Sequence, residues 1–267
     1  MKHYPTYLQT LGLILIVALF GVMAALLVFP FTNANSMLAI TVVYTVSLMG
    51  GIASALLIRK DFSFPMTRVD WRIISLGCIA VVSFHFVSDP IVSLFPIPDS
   101  LKEMTSSMYR NPVISLFLIV VLAPLLEELL FRGVVLHGFL KNYKPSHAIV
   151  SSALVFAIIH GNLAQGLGAF FIGLVIGWIY WKTNSIIPGM IIHFVNNAFA
   201  FSSIFFVDEK DALKNMSEYF VEPGVYLAAV IAGGVVSFLC MWFLHQKFLK
   251  HINPQPVIEN VESTAQQ

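Results

Sequence analysis

The sequence predicts an all-α fold, a polytopic membrane helix bundle of about eight transmembrane helices around a polar intramembrane cavity. Of its 267 residues, 58% are hydrophobic and only 11% are charged, whereas soluble domains have about 25% charged residues. The apolar residues form runs long enough to cross a bilayer, which takes roughly 20 residues. Some of these runs contain carboxylates, histidines and asparagines, which in lipid usually face the interior of a bundle.

Eight apolar segments follow one another along the chain. They lie at 8–29, 37–58, 73–95, 112–140, 147–160, 165–182, 185–206 and 224–247. The first is longer than the apolar part of a cleaved signal peptide, so we expect it to be a retained helix. We therefore expect one transmembrane domain over residues 1–252, with its motif core at 112–200. The polar tail 253–267 is expected to be disordered.

The loops between the segments alternate in charge. Basic residues follow the even-numbered segments, at Arg59, Lys60, Arg68, Arg72, Lys141, Lys144, Lys182, Lys247 and Lys250. The opposite loops are uncharged at 33–35, mixed at 99–110 and acidic at 208–222. Because basic loops stay in the cytoplasm, we expect an integral membrane protein with both termini cytoplasmic. Its short loops and compact size indicate a bacterial plasma membrane.

The net charge of +1 gives no basic footprint for nucleic acid. The expected surroundings are therefore the lipid bilayer and whatever membrane protein or peptide the chain acts on. Cys78 and Cys240 both lie in apolar runs and are interpreted as small core residues.

Glu127 and Glu128 are adjacent carboxylates inside an apolar run. One charge at bilayer depth costs at least about 2.5–3.5 kcal/mol, and two neighbouring like charges also repel each other. Arg132 lies four residues after Glu128, on the same helix face, so we predict an ion pair. Glu127 points about 100° away and is the freer carboxylate, suited to general acid–base chemistry. The alternative is a structural ion pair between two helices.

Two further polar clusters follow on separate segments. The run Phe156-Ala-Ile-Ile-His160 ends the fifth segment, and His193 and Asn197 lie one turn apart in the seventh. Histidine can act as a base, a metal ligand or an oxyanion donor, and asparagine can bind an oxyanion. Taken singly, each cluster is also explained by packing or an interhelical hydrogen bond. Together with the glutamates they favour a polar cavity.

Other polar and small residues are assigned structural roles. His85 and Asp89 have the same one-turn spacing, but they lie near a membrane end, where polar residues are tolerated. They form the main rival candidate for a site. Gly173 and Gly177 form a Gly-x-x-x-Gly pattern, which predicts close packing of the sixth segment on a neighbour.

The ordered motifs resemble those of the CPBP intramembrane proteases. These form the CAAX-protease and bacteriocin-processing group, also called the Abi family, related to the Rce1-type prenyl protein endopeptidase. The resemblance covers about Pro112–Ala200. The matching residues are Glu127, Glu128, Arg132, Phe156, His160, His193 and Asn197.

The resemblance implies an intramembrane endopeptidase that hydrolyses a peptide bond of a membrane-associated protein or peptide. Glu127 would activate water as the general base, and His160 would help to hold that water. His193 and Asn197 would stabilise the tetrahedral oxyanion.

In the same comparison, Glu128 with Arg132 would shape the site. Members of the family are often described as metal-dependent. Glu127, His160 and His193 could hold a divalent metal such as zinc with an open fourth position. A metal-free, glutamate-dependent reaction is equally compatible with these residues, and no His-Glu-x-x-His spacing decides between them.

Two functions from other classes compete with proteolysis. A non-catalytic membrane protein, conferring self-immunity to a bacteriocin-like peptide or scaffolding a partner, would not depend on the Glu127 carboxylate. A proton-coupled carrier would use Glu127 and His193 as a relay. Carriers usually show related halves, and the sequence shows no convincing internal repeat.

Overall fold

The computed structural model describes residues 3–32 and 36–251. The tail at 253–267, for which disorder is expected, lies outside these residues. Within them the helices are joined by loops, and the β-structure consists of one isolated antiparallel bridge between Met66 and Ser185. The predicted all-α helix bundle is therefore confirmed.

Nine α-helices, besides a few short 3-10 turns, build the described part of the chain. We number them α1 (Tyr7–Val28), α2 (Met37–Arg59), α3 (Trp71–Val92), α4 (Asp99–Arg110), α5 (Pro112–Asn142), α6 (Pro145–Ile158), α7 (Leu163–Thr183), α8 (Ile187–Ser202) and α9 (Pro223–His251). Seven of them are long and apolar enough to cross a membrane, the exceptions being α4 and α6. The fifth predicted segment thus becomes a 14-residue helix, which is shorter than a full span. The protein is an integral membrane protein with close to the expected number of spans.

Local sequence fixes several helix ends. Thr6 and Gln9 form a capping box at the start of α1, and the Asp70 carboxylate accepts the backbone N–H of Arg72 at the start of α3. Asn184 ends α7 in the left-handed region, with φ at 47°. Gly161 has a φ of 71° in the turn between α6 and α7, where a residue without Cβ is strongly favoured.

The helices pack as neighbouring pairs around α5. The most extensive contacts join α3 with α9, α1 with α2 and α6 with α7. A Cβ on Gly173 would lie 3.0 Å from the Ala153 Cβ, so α7 approaches α6 as closely as the glycine pattern predicts. On α5, Val134 and Leu136 have no exposed surface. This helix is therefore the centre of the bundle.

The α5 helix is interrupted by two π-helical turns. They cover Phe117–Leu122 and Phe131–Leu136 and flank the α-helical segment Ala123–Leu130, which carries both glutamates. Pro124 lies at the start of that segment, where proline removes a backbone hydrogen bond from the helix. Such wide turns are rare and occur often at functional sites.

Candidate active site

Glu128 and Arg132 form a buried ion pair on α5. The Arg132 Nη1 donates to the Glu128 Oε1 at 2.7 Å, and both side chains are at most 2% exposed. The second carboxylate oxygen, Glu128 Oε2, and the Arg132 Nε find no hydrogen-bond partner within the described residues. The contact predicted from the one-turn spacing is therefore present, and it is made through a single hydrogen bond.

The Arg132 guanidinium also contacts two other helices. It lies 5.0 Å from the centroid of the Phe156 ring on α6. Its Nη2 is 3.5 Å from the Gly173 carbonyl oxygen on α7. A cation and an aromatic face attract each other, more strongly where water is excluded. These contacts fix the cation, and through it the Glu128 carboxylate.

His193 on α8 faces both glutamates. Its Nδ1 donates to Glu128 Oε1 at 3.1 Å, and its Nε2 lies 3.7 Å from Glu127 Oε2. The second distance is too long for a direct hydrogen bond. The imidazole is only 6% exposed. One buried ring thus links the paired glutamate to the freer one.

Gly189 lets α8 come close enough for this contact. A Cβ at this position would lie 2.6 Å from Glu128 Oε2 and 2.7 Å from the Ile176 Cγ2. Both distances are shorter than side-chain carbons tolerate. The glycine therefore sets the spacing between α8 and the glutamate pair, one turn before His193.

The Tyr44 hydroxyl on α2 donates a hydrogen bond to Glu127 Oε1. It orients the carboxylate so that the other oxygen, Oε2, faces His193. No motif pointed to Tyr44, which the sequence places 83 positions before Glu127. The only available signal was a phenol within an apolar span, since buried phenols usually find a hydrogen-bond partner.

Asn197 is held by its neighbours on both sides. Its Nδ2 donates to the Ile119 carbonyl in the first π-helical turn of α5, at 2.8 Å. Its Oδ1 accepts the Asn196 Nδ2 at 3.1 Å, and the Asn196 Oδ1 is 2.9 Å from the His85 Nε2. Sequence reasoning missed Asn196, and it placed His85 outside the site. The structure connects both to Asn197.

Asp89, which the sequence places one turn after His85, has a different set of partners. Its Oδ1 accepts the Met216 backbone N–H at 3.0 Å, and its Oδ2 accepts the Tyr226 hydroxyl at 2.6 Å. The structural role favoured by the sequence therefore suits Asp89 better than His85.

His160 lies near the cluster without joining it. Its Nδ1 donates to the Phe156 carbonyl at 2.8 Å, and its ring is 5.0 Å from the Phe156 ring, centroid to centroid. The Phe156 ring is in turn 5.7 Å from that of His193. Across the described residues, His160 makes no hydrogen bond or ion pair with Glu127. Phe156 thus lies against both imidazoles.

The arrangement does not assemble a metal-ligand set. Residues 3–32 and 36–251 contain no group of three or more His, Cys, Asp or Glu side chains placed to hold a metal ion. Tyr44 binds one Glu127 oxygen, and Glu128 binds the His193 Nδ1. Metal binding by Glu127, His160 and His193 therefore stays a prediction.

Comparison with known proteins agrees with the motifs. Residues 109–199 match the family model described as type II CAAX prenyl endopeptidase Rce1-like. The resemblance noted from the sequence is thus confirmed for the part of the chain that contains the motif residues from Glu127 to Asn197.

A curated relative resembles about a third of the chain. The chain is 33% identical over 93 residues to the UPF0177 protein YxdF of Lactococcus lactis subsp. lactis (strain IL1403). That match covers 34% of this chain and 51% of the relative, so it spans about half the length of the curated protein. No solved structure matches the chain significantly.

Proposed function

We propose that the protein is an intramembrane endopeptidase in which Glu127 activates water. The observation that carries this proposal is the 3.7 Å gap between Glu127 Oε2 and His193 Nε2, inside a buried cluster of an Rce1-like segment. A polar contact of this length is suited to a bridging water. A water held there would lie against a carboxylate that can accept its proton.

The reaction would begin with transfer of a water proton to Glu127 Oε2 as the water oxygen attacks the scissile carbonyl carbon. The carbonyl π electrons move to oxygen and form a tetrahedral oxyanion. Glu127 then gives the proton to the departing amide nitrogen, and the C–N bond breaks. The carboxylate that started the cycle is regenerated.

Two donors are available to the oxyanion. His193 donates through Nδ1 to Glu128, so in its doubly protonated form its Nε2–H is free to bind the developing charge. Asn197 uses one N–H on the Ile119 carbonyl and retains a second. Preorganised donors of this kind stabilise tetrahedral intermediates of acyl transfer. The Glu128–Arg132 pair positions the imidazole.

The substrate class follows from where the cluster lies. Glu127 and His193 are buried within helices long enough to span a membrane, so the scissile bond must reach them from the bilayer or its surface. We infer a membrane-associated protein or peptide as substrate. We also infer that both termini are cytoplasmic, from the basic loops. This requires the short helix α6 to cross together with the seven long helices, because an odd number of spans would put the termini on opposite sides.

A cleavage assay tests the proposal. Purified wild-type and Glu127→Gln proteins in lipid are incubated with a library of membrane peptides, and mass spectrometry identifies any new peptide termini. New termini with wild type alone would support it. Equal cleavage by both would show that Glu127 is not the base. No cleavage by either would favour an immunity or scaffold protein. Parallel reactions with a chelator would show whether a metal is needed.

A further inference from the structure

A cavity lies between the first turns of α3 and the last turns of α9. It has a volume of ≈ 570 Å³ and shares no residue with the glutamate cluster. One end is lined by Arg72 and Lys247, and the other by apolar side chains. A cavity with a charged end and an apolar end is complementary to a phospholipid, which has a charged headgroup and apolar acyl chains.

The charged end carries one uncompensated cation. Lys247 Nζ is 2.6 Å from the Asp70 Oδ2, and this hydrogen bond lowers the pKa of the Asp70 carboxyl. Lys247 and Asp70 therefore neutralise each other. The Arg72 guanidinium makes no hydrogen bond or ion pair to any described side chain, and lies 5.9 Å from the Trp71 ring centroid. Its charge is available to an anion.

The apolar end continues along both helices. Leu76 and Ile79 follow Arg72 by about one and two turns of α3, and Phe243 precedes Lys247 by one turn of α9. Ile79 and Phe243 remain 48% and 51% exposed. From Arg72 to Ile79 the helix rises about 10 Å, roughly a third of the hydrocarbon thickness.

The position of Trp71 places the charged end at the membrane surface. Trp71 begins α3, where the spanning segment starts, and is 68% exposed. Tryptophan is enriched at the level of lipid headgroups. The guanidinium beside it therefore lies where phosphates lie, and the apolar wall extends into the acyl region.

We propose that this cavity binds one anionic phospholipid, with its phosphate on Arg72 and an acyl chain along Ile79 and Phe243. A single uncompensated cation matches a single phosphodiester. Asp70 pairs directly with Lys247 and acts on Arg72 only at longer range, so Arg72 is the anchor for the phosphate. The site is separate from the proposed proteolytic site, and the proposal does not depend on the proposed function.

Native mass spectrometry of the full chain in detergent tests the proposal, with phosphatidylglycerol and phosphatidylcholine of matched acyl chains as probes. Wild type should retain phosphatidylglycerol in preference to phosphatidylcholine. Arg72→Gln should weaken phosphatidylglycerol binding about fivefold, the effect of one basic residue at an anionic surface. Arg72→Lys should retain most of the binding because it keeps the charge.

Lys144→Gln is the matched control, since Lys144 is an exposed cation outside the cavity. It should bind phosphatidylglycerol like wild type. Equal binding of the two lipids by wild type, or equal losses in Arg72→Gln and Lys144→Gln, would overturn the proposal. Displacement of the lipid by glycerol 3-phosphate alone would also overturn it, because the site would then recognise a free phosphate without an acyl chain.

Discussion

Asp89 and Glu127 are both carboxylates within apolar helices, and their hydrogen bonds differ. Asp89 accepts one protein donor on each oxygen, from Met216 and Tyr226. Glu127 accepts Tyr44 on one oxygen, while the other faces His193 at 3.7 Å. A carboxylate with both oxygens bound holds two segments together. A carboxylate with one oxygen free of protein donors can bind a reactant.

The largest expected effect is the difference in turnover between a Glu127 variant and an Asp89 variant. Glu127→Gln should lower turnover by about 10²–10⁴-fold, the contribution of general acid–base catalysis, while the protein folds normally. Asp89→Asn should leave turnover near wild type and lower the thermal midpoint, because a carboxylate hydrogen bond is replaced. Peptide cleavage and thermal unfolding in detergent measure both. The comparison fails if Asp89→Asn loses as much activity as Glu127→Gln.

The next effect concerns the buried ion pair. Glu128→Gln should destabilise the fold by about 3–5 kcal/mol, because Arg132 is then a buried cation without its partner. The double variant Glu128→Gln/Arg132→Gln removes both charges and should recover much of that loss, measured by denaturant unfolding in detergent. Turnover should stay low in both variants. A double variant that is no more stable than the single one would contradict this account.

A smaller effect is expected where α8 approaches the pair. Gly189→Ala adds a methyl group 2.6 Å from Glu128 Oε2, and overpacking of this kind costs about 1–3 kcal/mol. Gly168→Ala is the control, since no atom lies within 4 Å of its added Cβ. Thermal midpoints and cleavage rates should fall for Gly189→Ala alone. Equal midpoints for the two variants would show that the close approach is unimportant.

The sequence predicted those features that depend on one helix. The Glu128–Arg132 contact follows from a one-turn spacing, and the spans follow from runs of apolar residues. The close packing of α7 at Gly173 follows from the small-residue pattern, which does not specify Ala153 as the partner. In each case the spacing of residues along one segment contains the information.

Features that join distant segments could not be predicted in this way. Glu128 and His193 are 65 positions apart, and His85 and Asn196 are 111 apart. No periodicity specifies which turns of two helices meet. The wide turns of α5 also leave no mark in a run of apolar residues. They nonetheless place the Ile119 carbonyl, to which Asn197 donates.

The last prediction tests whether Tyr44 orients Glu127. Tyr44→Phe removes the donor to Glu127 Oε1 and keeps the ring, so packing should be preserved. A hydrogen bond to a charged group contributes about 1.5–3 kcal/mol, and we expect kcat to fall about tenfold or more with a small change in KM. Tyr226→Phe removes the matching donor to Asp89 and should lower the thermal midpoint without changing kcat. Equal kcat values for Tyr44→Phe and wild type would show that the Tyr44 hydrogen bond is not needed to orient Glu127 toward His193.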